Sequence, residues 1–354
     1  MLTGTATRGR GTPLNPPSRF ERLQFAPEVE LEPGDGEGSR GIPTEYLRDT
    51  SRTVIAQNDS EDIPFRFSLN PYRGCEHGCI YCYARPYHEY LGYSAGLDFE
   101  TKILVKEDAP NLLRKELGGR RWAGDPIALS GVTDPYQPVE RRLGITRRCL
   151  EVLAECRQPV CIITKSGLVE RDADLLGDLA RVNAASVAIT LTTLNESLRR
   201  SLEPRAASAD VRLRAIEGLA RQGVPVGVMV SPVIPGLTDH EIPRILARAS
   251  AAGASWAAFI MLRLPHGVGT LFDAWLVAHA PGERAKVLAR IRQVRGGRLN
   301  DSHFRSRMRG DGPLASLAER LFHATRERTG LANHGPALSA AAFRRPSPVG
   351  RLFD

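Results

Sequence analysis

From about residue 64 the chain alternates two hydrophobic patterns. Short apolar runs rich in β-branched residues at 66–70, 126–130, 160–164, 186–192, 225–230 and 256–262 read as strands. Between them, residues 144–157, 171–182, 208–222 and 238–252 place apolar positions at helical spacing. Thr238 followed by Glu241 has the pattern of a capping box at the start of the last of these helices. Strands alternating with helices imply a parallel sheet built from right-handed crossovers, and the continuous apolar run Val226–Val230 fits a strand covered on both faces. In α/β barrels the chemistry sits at the carboxyl ends of the strands. Beyond Leu264 the strand pattern stops, and 271–280, 282–295 and 313–329 read as helices. The first sixty residues are rich in Gly, Pro, Ser and charge with almost no apolar periodicity. The pattern thus divides the chain into an irregular arm (1–60), an α/β core (61–265), a helical extension (266–330) and a loose tail (331–354).

Composition changes this picture little. Of 354 residues, 42% are hydrophobic and 25% charged, which excludes a disordered or collagen-like chain. No apolar run approaches the roughly 18–20 residues of a membrane span, and the arm lacks the apolar stretch of a secretory signal, so a cytoplasmic protein without a membrane partner is expected. Charge adds more. The 48 basic residues, all but five of them arginine, exceed the 40 acidic ones by eight. Between Arg284 and Arg328, 12 bases face four acids, so that segment alone carries a surplus equal to the whole protein's. Codon bias toward arginine accounts for much of the total. The local surplus makes Arg295, Arg298, Arg305, Arg307 and Arg309 a candidate phosphate-tracking surface for a nucleic acid. In an extended segment the alternating Arg305, Arg307 and Arg309 share one face.

Six cysteines are too few for a disulfide scaffold, but three crowd into eight residues as Cys75-x3-Cys79-x2-Cys82, just after the first core strand. Three thiolates at that spacing wrap one metal centre. In a four-iron cluster they leave one iron without a protein ligand. Gly74 and Gly78 give the backbone the freedom to turn tightly there. The alternative is a structural zinc site with His77, inside the loop, as fourth donor. Cys149, Cys156 and Cys161 lack ligand spacing and read as small core residues.

This cysteine pattern, with Tyr81 ahead of the last cysteine and a strand–helix series behind it, resembles the radical S-adenosylmethionine (SAM) superfamily across about residues 65–264. The resemblance implies a partial (β/α)6 TIM-type barrel. It implies a [4Fe-4S] cluster on Cys75, Cys79 and Cys82, bound SAM, and a 5′-deoxyadenosyl radical that abstracts a substrate hydrogen. It also implies a flavodoxin- or ferredoxin-type electron donor. SAM contacts carried over by motif are Tyr81, Gly131, Thr133, Asp134, Lys165, Thr192 and the pair Glu203 and Arg212, with residues 234–239 packing on adenine. The run Cys79-Ile-Tyr-Cys-Tyr83 is most similar to the spore photoproduct lyase, DNA repair photolyase-like group, whose radical path makes Tyr83 a candidate for electron or hydrogen transfer. That lyase group places a hydrogen-donating cysteine where this chain reads Ser130-Gly-Val-Thr133, so thymine-dimer reversal is not implied, and Asp134-Pro-Tyr-Gln-Pro138 resembles a branch other than the lyase itself. The substrate is left unidentified, a nucleic-acid base, repaired or modified, being one class, and the reaction, of lyase or transferase type, is unassigned. A small molecule or peptide is the other substrate class. A non-enzymatic iron–sulfur or zinc protein that binds nucleic acid is the rival reading.

Overall fold

The computed structural model describes residues 9–20 and 42–346; the acidic part of the arm (28–37) and the last eight residues lie outside them. Ten strands form two sheets. They are β1 (Glu45–Arg48), β2 (Ile55–Gln57), β3 (Phe67–Leu69), β4 (Tyr72–Arg73), β5 (Lys102–Val105), β6 (Ile127–Leu129), β7 (Val160–Thr164), β8 (Ala185–Leu191), β9 (Val226–Val233) and β10 (Trp256–Met261). The large sheet runs β10-β9-β8-β7-β6-β3-β2, parallel throughout except for the antiparallel β2–β3 hairpin. Its registers pair Phe67 with Ile127, Ile127 with Val160, Val160 with Ala185, Val187 with Val226 and Gly227 with Trp256. The ends, β10 and β2, do not pair, so the sheet is an open, partial barrel with helices outside. The small sheet, β1-β5-β4, braces the segment after β3.

Period-two alternation gives the barrel its two faces. On β8 the outward Val187, Ile189 and Leu191 are buried in the core beneath the helices, whereas Ser186, Ala188 and Thr190 face inward. Ala128, Cys161, Met229 and Ala258 continue that inner row. The small inward residues of β6, β7 and β8 leave the barrel hollow.

All six core strands and the expected helices form, the latter as Ile145–Glu155, Ala173–Ala180 (behind a 3-10 turn, Gly167–Asp172), Ala209–Arg221, Ile242–Ala251, Val268–His279, Arg284–Gln293 and Gly312–Arg328. Three expectations are corrected. The arm is not simply irregular: it supplies β1 and β2, and Arg10 is buried, donating to the carbonyls of Glu100 (2.9 Å) and Ile42 (2.5 Å). The capping box does not form. Thr238 Oγ1 instead accepts from the Ile234 amide at 2.9 Å, and Glu241 reaches across to the Thr193 hydroxyl and the Leu194 amide. The described part of the tail is docked rather than loose. Ala332 bridges the start of β10, Ser339 donates to Asn183, Arg344 donates to Cys156, and Phe343 covers Gly124, so residues 332–345 cross the amino ends of the strands and floor the barrel. The helices beyond Leu264 pack Val268, Leu271, Phe272, Trp275 and Ile291 against Ile80 and Tyr81, and Trp275 Nε1 donates to Ser201 at 3.0 Å. This extension braces the cysteine loop.

Candidate functional site

The cysteine loop leaves β4 at Gly74, whose φ of +80° belongs to the left-handed region. Gly78 repeats it at +66°, and a Cβ there would lie 2.6 Å from Glu100 Oε2. Backbone bonds anchor the loop on both sides: Cys75 N to Phe99 O (2.9 Å), Ile80 N to Leu202 O (3.0 Å) and Arg205 N to His77 O (3.2 Å). Arg85, fully buried, donates to the Cys79 carbonyl at 3.0 Å and pairs with Glu100 at 2.5 Å. Cys75 and Cys79 are buried and Cys82 is half-buried. None is in a disulfide, and all three line one cavity of about 630 Å³ at the carboxyl ends of the strands. Burial pushes all three thiols up, for Cys75 with the added charge of Asp134, so a metal must displace their protons to bind.

A single ion draws its ligands to about 2.3 Å, and among the described residues no three His, Cys, Asp or Glu groups converge that closely. His77 Nδ1 faces Asp134 Oδ2 at 3.3 Å instead. With His77 engaged by Asp134 and no fourth donor beside them among the described residues, the three thiols lining one cavity fit a cluster that takes three protein ligands, each on its own iron, better than a four-ligand zinc site.

Behind the loop, Glu203 gathers four of the other candidate residues. It accepts from the Tyr81 hydroxyl, from Thr192 Oγ1 (2.6 Å) and from Arg212, and Lys165 Nζ lies 3.3 Å away. Burial opposes its charge, but Arg212, Lys165 and the two hydroxyls outweigh that and hold the carboxyl well below the usual range. Lys165 also donates to Ser231 O at 3.1 Å and lines the cavity together with Tyr81. Thr192, Glu203 and Arg212 stand behind the wall, as do residues 234–239.

The loop after β6 is likewise tied down. Thr133 Oγ1 donates to Gly74 O (2.6 Å), and the Gly131 carbonyl accepts from Tyr83 at 2.7 Å. Asp134 takes the Thr164 hydroxyl (2.7 Å) and the Lys165 amide (2.8 Å); burial works against its charge, and His77 with these donors keeps its carboxyl low. Asp134 thus locks the ends of β6 and β7 together. Tyr83 itself is 46% exposed at the cavity mouth, and Tyr87 (54%), Tyr90 (68%) and Phe20 (53%) continue outward from it as exposed rings.

The arginine row does not form the surface that alternation suggested. Ser306–Arg309 is a helical turn, so residues two apart diverge. Arg295 is 2% exposed and donates to the carbonyls of Met261, Leu262 and Ser306. Arg307 pairs with Asp62 at 2.6 Å, and the Arg305 amide takes the other Asp62 oxygen at 2.6 Å. Together they latch the β10 side of the open barrel to the β2–β3 hairpin. Arg298 and Arg309 are exposed, the latter 3.4 Å from Glu319.

Sequence reasoning missed Met229, Ser231, Arg263 and the 333–338 floor, all cavity-lining. The alternate positions along each strand carried the signal for the first two. Nothing local signals the floor.

Residues 69–249 match the family model described as the Radical SAM superfamily. An uncharacterised protein of Mycobacterium tuberculosis is 36% identical over 234 residues, covering 66% of this chain and 68% of the relative. A protein of Pseudomonas phage M6 named radical SAM Nalpha-GlyT isomerase is 29% identical over 209 residues, covering 55% of this chain and 41% of its own. Among solved structures, a point mutant of spore photoproduct lyase superposes with a TM-score of 0.54 at 15% identity, over 83% of this chain and 86% of that one, a likeness of fold alone.

Proposed function

The chain belongs to the radical SAM superfamily, and from that premise we propose that it holds a [4Fe-4S] cluster on Cys75, Cys79 and Cys82, binds SAM beside it, and carries out radical chemistry on a substrate held in the same cavity. One observation carries the reading: the three thiols of the motif line one largely apolar cavity together with Lys165 and the inward residues Ser186, Ala188 and Thr190. When bound, the cluster supplies the electron that cleaves SAM to methionine and a 5′-deoxyadenosyl radical. The chain's own residues set the stage. The Glu203–Arg212 pair fixes Tyr81 and Lys165 beside Cys79, leaving the Lys165 ammonium on the wall for the SAM carboxylate. The carbonyls around Gly131 and Thr133 supply acceptors for the SAM ammonium. The apolar wall excludes water from a reactive intermediate. Tyr83, hydrogen-bonded to Gly131 at the mouth, is the proposed residue for electron or hydrogen transfer.

For the substrate we favour a nucleic-acid base. The exposed rings Tyr83, Tyr87, Tyr90 and Phe20 leading from the mouth support it, since stacking platforms of this kind take single-stranded bases. A flavodoxin- or ferredoxin-type protein is the proposed electron donor. Anaerobically reconstituted protein is expected to absorb near about 400 nm through thiolate-to-iron charge transfer and to cleave SAM on reduction, with both lost in Cys79→Ala. A colourless, zinc-loaded protein that leaves SAM intact refutes the proposal.

A further inference from the structure

Arg263 follows β10 directly, where the strand end meets the gap between β10 and the β2–β3 hairpin, and it lines the cavity together with Cys82, Tyr83 and Asp62. It has no acid. Nη1 donates to the Met308 sulfur at 3.4 Å, Nε is buried without an acceptor, and the guanidinium lies 5.4 Å from the centre of the Tyr83 ring. A thioether is a weak acceptor, and a ring face does not offer the paired oxygens that a guanidinium fork matches. Asp62 is the acid at hand, but both of its oxygens are engaged, one by Arg307 and one by the Arg305 amide.

The fold treats its other buried arginines differently. Arg85 ends on Glu100, Arg212 on Glu203, and Arg295 on backbone carbonyls. Buried charge is ordinarily paired because an unpaired one loses hydration without compensation. At Arg263 burial, and after it the neighbouring charge of Arg307, disfavours the charged form. An anion reaching the guanidinium from the cavity mouth relieves both penalties.

We propose that Arg263 anchors an anionic oxygen group of the substrate, a carboxylate or a phosphate, at the mouth of the cavity beside Tyr83. This rests on reading the cavity as the reaction chamber. Lys165, on β7 and bonded to Ser231 at the end of β9, serves the SAM carboxylate, so the anion at Arg263 is a second one.

The test is calorimetric titration of the reconstituted, SAM-loaded full chain with inorganic phosphate and, separately, with acetate, at ionic strength held constant with KCl. Saturable binding of at least one anion is expected, weakened about tenfold or more in Arg263→Ala, and less in Arg263→Lys, which keeps the charge without the fork. Phosphate alone identifies a phosphate-bearing substrate, and acetate alone a carboxylate-bearing one. No saturable binding, as when SAM itself occupies Arg263, overturns the proposal, and so does binding indifferent to Arg263→Ala. Should that variant not fold, Arg263→Gln carries the same comparison. Cluster absorbance read on each preparation separates the failures: colourless protein refutes the cysteine assignment, whereas full absorbance without anion binding refutes the role of Arg263 alone.

Discussion

Replacing Glu203 by Gln keeps the shape of the side chain and removes its charge. Arg212 is 1% exposed and donates to this carboxylate, and Lys165 stands 3.3 Å away, so the substitution strands two cations that the wild type neutralises. Breaking a buried ion pair from one side costs about 3–5 kcal/mol. In a chain this size that lowers the melting temperature by on the order of 10 °C. The pH dependence adds a sharper reading. Glu203 has a depressed carboxyl in the folded state, so its contribution is complete above the unfolded value of 4.5 and drains away as pH falls below it. The gap between wild type and Glu203→Gln should therefore be constant from pH 7 to 5 and shrink below about pH 4.5 by about 1.4 kcal/mol per unit. Chemical denaturation of both proteins at pH 7, 5, 4 and 3.5 measures it. A gap below about 1 kcal/mol at pH 7, or one that does not narrow between pH 4.5 and 3.5, refutes the claim that Glu203 is the charged hub behind Tyr81.

Two further outcomes follow from the barrel. A Cβ at Gly227 would overlap the Trp256 ring, which Gly335 of the floor confines from its other side; Gly227→Ala should cost about 1–3 kcal/mol as an overpacked core, and an unchanged melting temperature counts against the docked floor. If the exposed rings receive bases, Tyr87→Ala and Tyr90→Ala should each weaken a single-stranded oligonucleotide by about 1–3 kcal/mol in anisotropy titrations at low salt, and absence of oligonucleotide binding by the wild type sinks the nucleic-acid reading.

The core strands were legible because their pattern is local and strong. β7 was read to the residue, since Val160–Thr164 is an apolar run between a helix end and a polar turn. What escaped depends on partners far along the chain. β1 has four mostly exposed residues and forms because it finds β5. The floor forms because Ala332 finds the edge of β10 and Phe343 finds Gly124. The latch joins residues 245 positions apart. Thr238 and Glu241 show the converse: a good local motif gives way because Thr193 and Ile234 offer the same side chains better-buried partners. For the site, the cysteine spacing was readable. That Thr133 and Asp134 are consumed in tying strand ends together was not.

The arginine surplus changes meaning when each side chain is followed to its partner. Between residues 284 and 328 it looked like a reservoir of positive charge awaiting an acidic partner. Yet Arg284 ends on Asp273 at 2.7 Å and Arg307 on Asp62, both acids supplied from outside the segment, and Arg295 ends on carbonyls. Part of the charge is thus spent within the molecule, with Arg307 and Arg295 holding the β10 side of the open barrel, while Arg298, Arg305 and Arg309 remain exposed. The guanidinium that the cavity leaves unspent, Arg263, lies outside the segment that composition singled out. If Arg263 takes a partner's anion as proposed and the exposed arginines do not, the salt dependence of binding should be shallow, with a slope closer to one phosphate contact than to five, and a slope near five returns the role to the basic segment.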